Sequence, residues 1–308
     1  TYDYILMYIL YSLLIMEEIR NLKRKYKNSR AGDNIGDDFI SPCLKYFKSW
    51  RRCTLGFSSS ALKTWAGSLA RMVSDDIKIE ILCDIGSCVN DKMLMKTLDH
   101  CATDEEKAIT LVKHNEQKIL LAAFAADISK DDQEGFKKKY GWQLLHWLIA
   151  SEKLILKFAV NTISDTFSNL YHEKSGYFTF QNDITVAHYG TFNESESGHR
   201  GNNDSVMVYS SYRPDQDEDR ILTIEDTDSD WNGNDSVKVY SLSRETLKKI
   251  KESAPKTKPE QKDFQKNEDT IQIDNNSITP SSLEKNCPKI PELIGDNKFD
   301  LRRHQERA

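Results

Sequence analysis

Short apolar runs and amphipathic stretches alternate along the first half of the chain. Continuous or alternating apolar positions predict strands over 52–57, 77–83 and 153–160. Apolar positions at helical spacing predict helices over 17–27, 40–46, 61–73, 91–101, 104–128 and 133–150. Strands and helices in this order predict an α/β domain in which helices cover a central sheet.

The pattern changes near residue 169, where consecutive strands replace the alternation of strands and helices. These strands are predicted over 170–180, 184–189, 205–212 and 237–242, with a closing helix over 244–251. The polar turn at 181–183 predicts a hairpin between the first two. Residues 253–282 are rich in Pro, Lys, Glu, Asn and Ser, a composition typical of a linker.

Residues 4–16 form an apolar run that is too short to span a bilayer comfortably, since about 20 residues are needed. The run also lacks the basic start and the small-residue cleavage site of a signal peptide. We therefore expect no membrane-spanning segment. Met16 precedes two glutamates and could be the true start, so we expect residues 1–15 to be translated upstream sequence or the ragged end of a fragment.

The composition limits both the size of the fold and the kind of surface it presents. With 308 residues, of which 38% are apolar and 30% charged, the chain can build one domain of about 200 residues plus appendages. The net charge of -5 excludes a surface coated uniformly with positive potential. Nucleic-acid binding would have to use a local basic patch such as 20–27 or 45–52.

Cysteine usage indicates a reducing compartment, and we expect a cytoplasmic protein. No Cys-x-x-Cys pair occurs among the six cysteines, Cys43, Cys53, Cys83, Cys88, Cys101 and Cys287. Most lie in apolar surroundings, where a free thiol behaves as a small hydrophobic group. A zinc site formed with His100 is the alternative, with Cys83, Cys88 and Cys101 as the other ligands, although this spacing fits no common zinc finger.

The candidate chemistry lies in the second half of the chain. His172 and Lys174 are two residues apart on a predicted strand and would project from the same face. The next strand leads into Gly190-Thr191-x-Asn193. Imidazole, ammonium, hydroxyl and amide groups together suit a phosphodiester, with Gly190 and Thr191 as substrate-binding residues. Taken singly, these residues would be an exposed strand histidine, a solvated lysine and ordinary turn residues.

These residues resemble the His-x-Lys and Gly-Ser-x-Asn motifs of the phospholipase D superfamily of metal-independent phosphodiesterases, with Thr191 in place of Ser. Asp204, two residues after an asparagine, resembles the acid of the Asn-x-Glu motif that follows. Each motif is weak alone, but their order is specific, and Asn193 lies 21 positions after His172. The resemblance covers roughly residues 36–251 and implies a layered α-β-α domain with a central mixed sheet.

The chain departs from the family pattern at two places. Thr179 stands five residues after Lys174, where the full motif has an Asp. The N-terminal half contains no second His-x-Lys, because His146 has no lysine two residues later. We interpret His146 as a packed or capping histidine.

The resemblance is closest to phospholipase D-like nuclease domains fused in front of superfamily 2 helicases. Residues 301–308 resemble the stretch that opens a helicase core, with Gln305 as the glutamine of its Q-like motif. The implied organisation is an N-terminal extension over 1–30, a phospholipase D-like domain over 31–252, a flexible linker over 253–290 and a truncated helicase core over 291–308. ATP and Mg²⁺ are implied only for the missing helicase part, and no cofactor or metal for the domain itself.

The resemblance also implies a mechanism in which His172 attacks phosphorus and a second imidazole protonates the leaving oxygen. Because the chain has a single His-x-Lys, we expect a homodimer that pairs the two copies of His172 across its two-fold axis. Lys174 and Asn193 would hold the non-bridging oxygens, and Thr191 would add a hydrogen bond. Asp204 would accept from the far nitrogen of an imidazole and fix its tautomer.

The implied substrate is nucleic acid, and DNA before RNA, in a helicase–nuclease of repair, restriction or defence. The main alternative is a catalytically decayed module that binds the nucleic-acid backbone for the helicase. A phospholipid-directed enzyme is a third possibility and ranks below the other two.

Overall fold

One mixed sheet organises the fold, which is known from a computed structural model. The structure describes residues 17–29, 32–57, 61, 64–65, 68–74, 76–84, 106, 109–113, 116, 143–162, 170–195 and 197–259. Within these ranges the strands are β1 (Lys25–Lys27), β2 (Ser49–Thr54), β3 (Lys78–Asp84), β4 (Leu154–Asn161), β5 (Ser175–Thr179), β6 (Thr185–Gly190), β7 (Ser205–Ser210) and β8 (Val237–Ser241). They lie across the sheet in the order β1-β7-β6-β5-β2-β3-β4-β8.

The helices with described bounds are α1 (Ser41–Tyr46), α2 (Leu69–Met72), α3 (Asp217–Asn232) and α4 (Arg244–Ser253). A π-helical turn leads into α1, and residues 109–113 and 143–150 are also helical. The start of α4 is capped by Ser243, whose hydroxyl oxygen accepts from the Thr246 backbone N–H at 3.2 Å. All described residues belong to one compact unit, Thr1–Lys266.

Parallel and antiparallel pairing are both present, which confirms the predicted mixed sheet. Strands β2, β3 and β4 pair in parallel, and helical segments lie between them in the chain, as parallel connections require. The pairs β2–β5, β5–β6, β6–β7, β7–β1 and β4–β8 are antiparallel. The consecutive strands predicted after residue 169 therefore extend the sheet from its parallel centre towards both edges.

Successive residues of the central strands enter two separate hydrophobic cores. On β2, Trp50 packs into the larger core, whereas Cys53 faces the smaller one. The larger core includes Leu44 of α1, and the smaller one includes Trp231 of α3. Because strand residues alternate between faces, helices cover both sides of the sheet. The layered α-β-α arrangement is thus present in the described residues.

The hairpin predicted at 181–183 is confirmed, since β5 and β6 pair antiparallel on either side of it. Its turn contains Asn182 with φ 58° and Asp183 with φ 56°. This left-handed region is one that Asn and Asp tolerate better than most other residues. The predicted strands at 77–83, 153–160, 184–189, 205–212 and 237–242 and the helices at 40–46 and 244–251 are also confirmed, with small shifts at their ends.

The predicted helix over 17–27 is wrong beyond residue 20. Only residues 17–20 are helical, and Lys25–Lys27 forms the edge strand β1, paired with β7. Tyr26 is buried between two exposed lysines and stacks on Phe39, with ring centroids 5.5 Å apart. This contact with a distant aromatic ring stabilises an extended backbone where local propensity favours a helix.

Two further predictions need correction. The strand predicted over 170–180 begins only at Ser175, so His172 and Lys174 lie in an irregular segment before it. The 16-residue helix α3 was not predicted at all. Its sequence has no apolar stripe, and it buries only Thr227 and Trp231, so hydrophobic periodicity gives little signal.

Several predictions fall outside the described residues. These are the start proposed at Met16, the helix over 91–101, most of the helix over 104–128, the linker beyond residue 259 and the helicase-like stretch with Gln305. The domain boundaries at 30, 252 and 290 stay predictions. Among the described residues, no helix has the length and apolar character needed to cross a membrane.

Candidate functional site

Strand pairing brings the two predicted motifs together. Ser175, the first residue of β5, pairs with Tyr189 near the end of β6. One step further, the Gly190 backbone N–H donates to the Lys174 carbonyl oxygen at 3.1 Å. The His-x-Lys segment enters the hairpin where the Gly-Thr-x-Asn segment leaves it, so both lie at the same end of the sheet.

The His172 and Lys174 side chains meet although neither lies on a strand. The Lys174 Nζ lies 3.1 Å from both ring nitrogens of His172 and donates to the His172 carbonyl oxygen at 3.2 Å. His172 is exposed, whereas Lys174 is only 5% exposed. Burial lowers the pKa of Lys174, and Arg52 lowers it further, against the opposing influence of Glu173 and Asp204. An accessible imidazole is thus held beside a fixed amine.

Thr191 and Asp204 bond to each other. The Thr191 hydroxyl donates to Asp204 Oδ1 at 2.7 Å and accepts from the Ser205 backbone N–H at 3.0 Å. The predicted hydrogen bond that Asp204 accepts from an imidazole N–H is not formed within the described part of this chain, and such a bond from a partner subunit stays a prediction. Asp204 instead fixes the hydroxyl of the Gly-Thr-x-Asn segment.

Gly190 is required by packing. A Cβ at this position would lie 2.2 Å from the Ser205 carbonyl oxygen and 2.8 Å from Val206 Cα. No side chain fits so close to the backbone of β7. The absence of a side chain lets Thr191 approach Ser205, and Gly190 therefore contributes geometry to the candidate site.

Asn193 lies opposite the end of β2 and is half-buried. The Thr54 hydroxyl donates to Asn193 Oδ1 at 3.4 Å, and the next backbone N–H, that of Glu194, donates to the Gly56 carbonyl oxygen at 3.1 Å. Among the hydrogen bonds of the described residues, none uses the Asn193 Nδ2 as donor. That amide group therefore remains available to donate to a phosphate oxygen.

A buried charged pair lies directly beneath this turn, and sequence reasoning missed it. Arg52 Nε donates to Glu194 Oε1 at 3.1 Å, and both side chains are fully buried. The other carboxylate oxygen, Glu194 Oε2, lies 3.0 Å from His199 Nε2. Burial raises the pKa of Glu194, but His199 and Arg52 outweigh it and bring that pKa below its ordinary value.

The proposed basic patch over 45–52 is therefore wrong at its C-terminal end. Arg52 is buried, and Arg51 forms ion pairs with Glu80 and Asp228, each at 2.6 Å. Neither arginine can face a nucleic acid. Nothing in the local sequence separates these structural arginines from surface ones, because their acidic partners lie far along the chain.

The other described histidines are buried. The Nδ1 of His146 lies 3.1 Å from Ser253 Oγ, consistent with a packed histidine. His188 is enclosed by aromatic rings, and no hydrogen-bond partner for its two ring nitrogens exists in the described part of the chain. A Cβ at Gly176 would lie 2.8 Å from His188 Nε2, so the glycine makes room for this ring.

The described residues contain no group of three or more His, Cys, Asp or Glu side chains that could hold a metal ion. Cys43, Cys53 and Cys83 are buried, and Cys88, His100 and Cys101, the other members of the alternative zinc set, lie outside the described ranges. The expectation of a metal-independent site stays a prediction.

A groove of about 430 Å³ lies beside the site, between the sheet and α3. Ser175 and Tyr189 line it from the sheet, and Asp226 and Asp230 line it from α3 together with Glu173 from the motif segment. The carboxylates give this side a negative potential, which disfavours phosphate there.

No protein-family model and no curated protein matches the chain. Among solved structures, it is similar to Nuc, a phospholipase D family member from Salmonella typhimurium, at 11% identity and a TM-score of 0.31, over 66% of this chain and 88% of Nuc. It is also similar to phosphatidylserine synthase from Haemophilus influenzae at 12% identity and a TM-score of 0.38, over 74% of this chain. The chain spans 42% of the length of that synthase. At these values neither similarity assigns a family or an activity.

Proposed function

We propose that this chain is a phosphodiesterase that cleaves nucleic acid, preferentially DNA, without a metal. The observation that carries the proposal is the Lys174 Nζ, 3.1 Å from the ring nitrogens of the exposed His172, at the point where the Gly-Thr-x-Asn turn begins. A candidate nucleophile and a cationic group thereby meet at the end of the sheet where the turn that carries the neutral donors begins.

In the proposed reaction, a ring nitrogen of His172 attacks phosphorus and the bond to the leaving oxygen breaks. A second imidazole gives its proton to that oxygen and then takes one from water, which hydrolyses the phosphohistidine. Lys174 and the Asn193 Nδ2 hold the non-bridging oxygens. Thr191 and Asp204 act as a unit that fixes the turn carrying Asn193.

The second imidazole is the reason to propose a homodimer. His146, His188 and His199 are all buried, so none of them can reach a substrate bound at His172. The remaining histidines lie outside the described residues, and none is followed by lysine at the required spacing. A second copy of His172, supplied across a two-fold axis, would complete the site.

The distribution of charge supports nucleic acid as the substrate. Lys25 and Lys27 on β1 are exposed on the same face, and in the register of the sheet Lys27 pairs with Ser205, the residue bonded to Thr191. Nearby, Lys23 and Arg24 are compensated by Asp33 and Asp215. Lys25 and Lys27 have no ion-pair partner among the described residues and therefore provide a short cationic approach to the site along the β1 edge. The helicase fusion is also part of the proposal and rests on the resemblance of residues 301–308.

Cleavage assays test the proposal. Purified protein should cut labelled single-stranded or duplex DNA in EDTA, and His172→Ala should lower the rate by at least about 1,000-fold, because the nucleophile is removed. The exposed position of His172 makes this variant fold normally, which circular dichroism would verify. Cleavage that persists in His172→Ala contradicts the proposal. Release of choline or phosphatidic acid from lipid would show that the substrate is a phospholipid and not nucleic acid.

One observation favours a second candidate, a module that binds nucleic acid without cutting it. Thr179, which replaces the motif's Asp, is occupied by sheet contacts. Its Oγ1 lies 2.7 Å from Ser49 Oγ and accepts from the Ser49 backbone N–H at 3.1 Å. Binding of DNA by the wild-type protein without any cleavage would support this candidate.

A further inference from the structure

Arg52 joins the two motif segments from inside the protein. Its Nη1 donates to the Ser175 carbonyl oxygen at 3.1 Å, and its Nη2 donates to the Phe192 carbonyl oxygen at 2.6 Å. Ser175 follows Lys174 directly, and Phe192 precedes Asn193. One fully buried guanidinium therefore bonds to the backbone beside both groups that would hold the phosphate.

Glu194 extends this contact into a buried network. One carboxylate oxygen accepts from Arg52, and the other bonds to His199, whose Nδ1 lies 2.9 Å from Thr64 Oγ1. All four side chains are buried. Buried charges are tolerated when every polar atom is satisfied, and removal of one partner leaves the others uncompensated.

The turn that carries Asn193 is therefore held from several sides. Its backbone is fixed by Arg52 through Phe192 and by the bond from the Glu194 N–H to Gly56. Gly198 closes the third side, because a Cβ there would lie 2.3 Å from the Asn193 carbonyl oxygen. The side chains of Asn193 and Glu194 have separate tasks, one at the site and one in the network below it.

We propose that Arg52 and Glu194 are positioning residues, which set the distance between Lys174 and Asn193 for the phosphodiester reaction. The effect on catalysis rests on the proposed function, whereas the ordering of the turn by the network does not. Neither residue touches the substrate. Their effect arises because a displacement of about 1 Å at a reacting group can cost about 100-fold in rate.

Arg51 offers a matched control on the same strand. It is also an ion-paired arginine, but it bonds to Glu80 and Asp228 on the opposite face of the sheet. Its hydrogen bonds within the described residues reach neither motif segment. Arg51→Lys and Arg52→Lys thus make the same chemical change, and only the second alters the proposed positioning contact.

The experiment compares wild type, Arg52→Lys, Glu194→Gln and Arg51→Lys. Steady-state hydrolysis of bis(p-nitrophenyl) phosphate in EDTA gives kcat and KM. Amide hydrogen exchange is followed in residues 190–195, with residues 78–84 of β3 as the internal reference.

For Arg52→Lys and Glu194→Gln we expect kcat to fall by about 10- to 100-fold with KM within about threefold. Exchange in 190–195 should accelerate by at least about 10-fold, while β3 is unaffected. Arg51→Lys should leave kcat and the exchange rate of residues 190–195 within about threefold of wild type.

Unchanged kcat and unchanged exchange in both Arg52→Lys and Glu194→Gln would overturn the inference. So would an equal effect of Arg51→Lys. If wild type hydrolyses no phosphodiester, the proposed function fails, whereas the exchange comparison still decides whether the network orders the turn. If the two variants do not fold, Thr64→Ala at the far end of the network replaces them. A fall in kcat larger than that of Arg51→Lys, together with faster exchange in 190–195, would then support the inference, and wild-type behaviour would reject it.

Discussion

At the scale of single residues, His188 has surroundings that oppose a positive charge. It is fully buried, and the rings of Phe39, Phe178 and Phe192 lie 5.4, 5.8 and 5.8 Å from its own ring centroid. Burial, and secondarily the charge of Arg52, holds the pKa of His188 well below its ordinary value of 6.5. The folded protein therefore keeps this imidazole neutral under conditions where an unfolded chain would protonate it.

The consequence is a predictable loss of stability in mild acid. Below pH 6.5 the unfolded state binds a proton at His188 that the folded state does not bind, so the free energy of unfolding decreases as pH falls. This residue contributes up to about 1.4 kcal/mol per pH unit. Urea unfolding at pH 7.5, 6.5 and 5.5 should show a smaller pH dependence for His188→Leu than for wild type. Phe178→Leu, a core variant without a titratable group, should keep the wild-type slope; equal slopes for His188→Leu and wild type would contradict the prediction.

At the scale of elements, the local sequence pattern predicts the structure correctly where residues close in sequence are also close in space. The β5–β6 hairpin follows from alternating apolar residues around a polar turn, and it brings Lys174 to Gly190 without further information. The edge strand β1 and the pair Arg52–Glu194 depend on contacts with distant parts of the chain. No local signal marks Arg52, whose partner lies 142 positions away.

Helix α3 also could not be predicted from the local sequence pattern, for a different reason. Its exposed face carries Ile221 and Leu222, while only Thr227 and Trp231 are buried, so polar and apolar positions do not separate by face. Acidic residues in its first turn stabilise the positive end of the helix dipole. Trp231 is one of the residues that attach the helix to the sheet. Its ring lies 4.0 Å from Lys157 Nζ, and its carbonyl oxygen accepts from that Nζ at 3.0 Å.

Truncation of Trp231 should therefore loosen α3. Trp231→Ala removes a buried aromatic side chain from the smaller core and should lower the free energy of unfolding by about 3–5 kcal/mol. Leu222→Ala on the same helix is the control, because Leu222 is 51% exposed and its loss should cost within about 0.5 kcal/mol. Denaturant titrations of both variants measure the difference, and similar losses would show that Trp231 does not anchor the helix.

At the scale of the whole molecule, acidic and basic side chains occupy different parts of the surface near the site. The acidic helix α3 covers one side, and Lys25 and Lys27 lie along the β1 edge. DNA should therefore be held on the β1 side. Replacement of both lysines by Glu should weaken DNA binding and reduce the slope of log K against log salt by about 1.4–1.8, since each phosphate contact contributes about 0.7–0.9.

Fluorescence anisotropy in EDTA between about 50 and 200 mM salt measures this slope, with the His172→Ala background to prevent cleavage. Lys248→Glu with Lys249→Glu makes the same charge change on α4, which follows β8 at the opposite edge of the sheet. This control should leave the slope unchanged. An equal loss of affinity in both double variants would indicate that only net charge matters and that β1 is not the contact surface.

The proposed dimer makes the most demanding prediction. Tyr189 and Met207 pair across β6 and β7 beside the site and are 52% and 37% exposed, which gives a second copy an apolar surface to cover. If one site needs His172 from both subunits, a 1:1 mixture of wild-type and His172→Ala chains, after subunit exchange, should retain about one quarter of the wild-type cleavage rate. Independent sites would retain about one half.

Light scattering should show a dimer for wild type and a monomer for Met207→Lys, which places a charge in the interface. A fully active monomer would require a different source for the second imidazole.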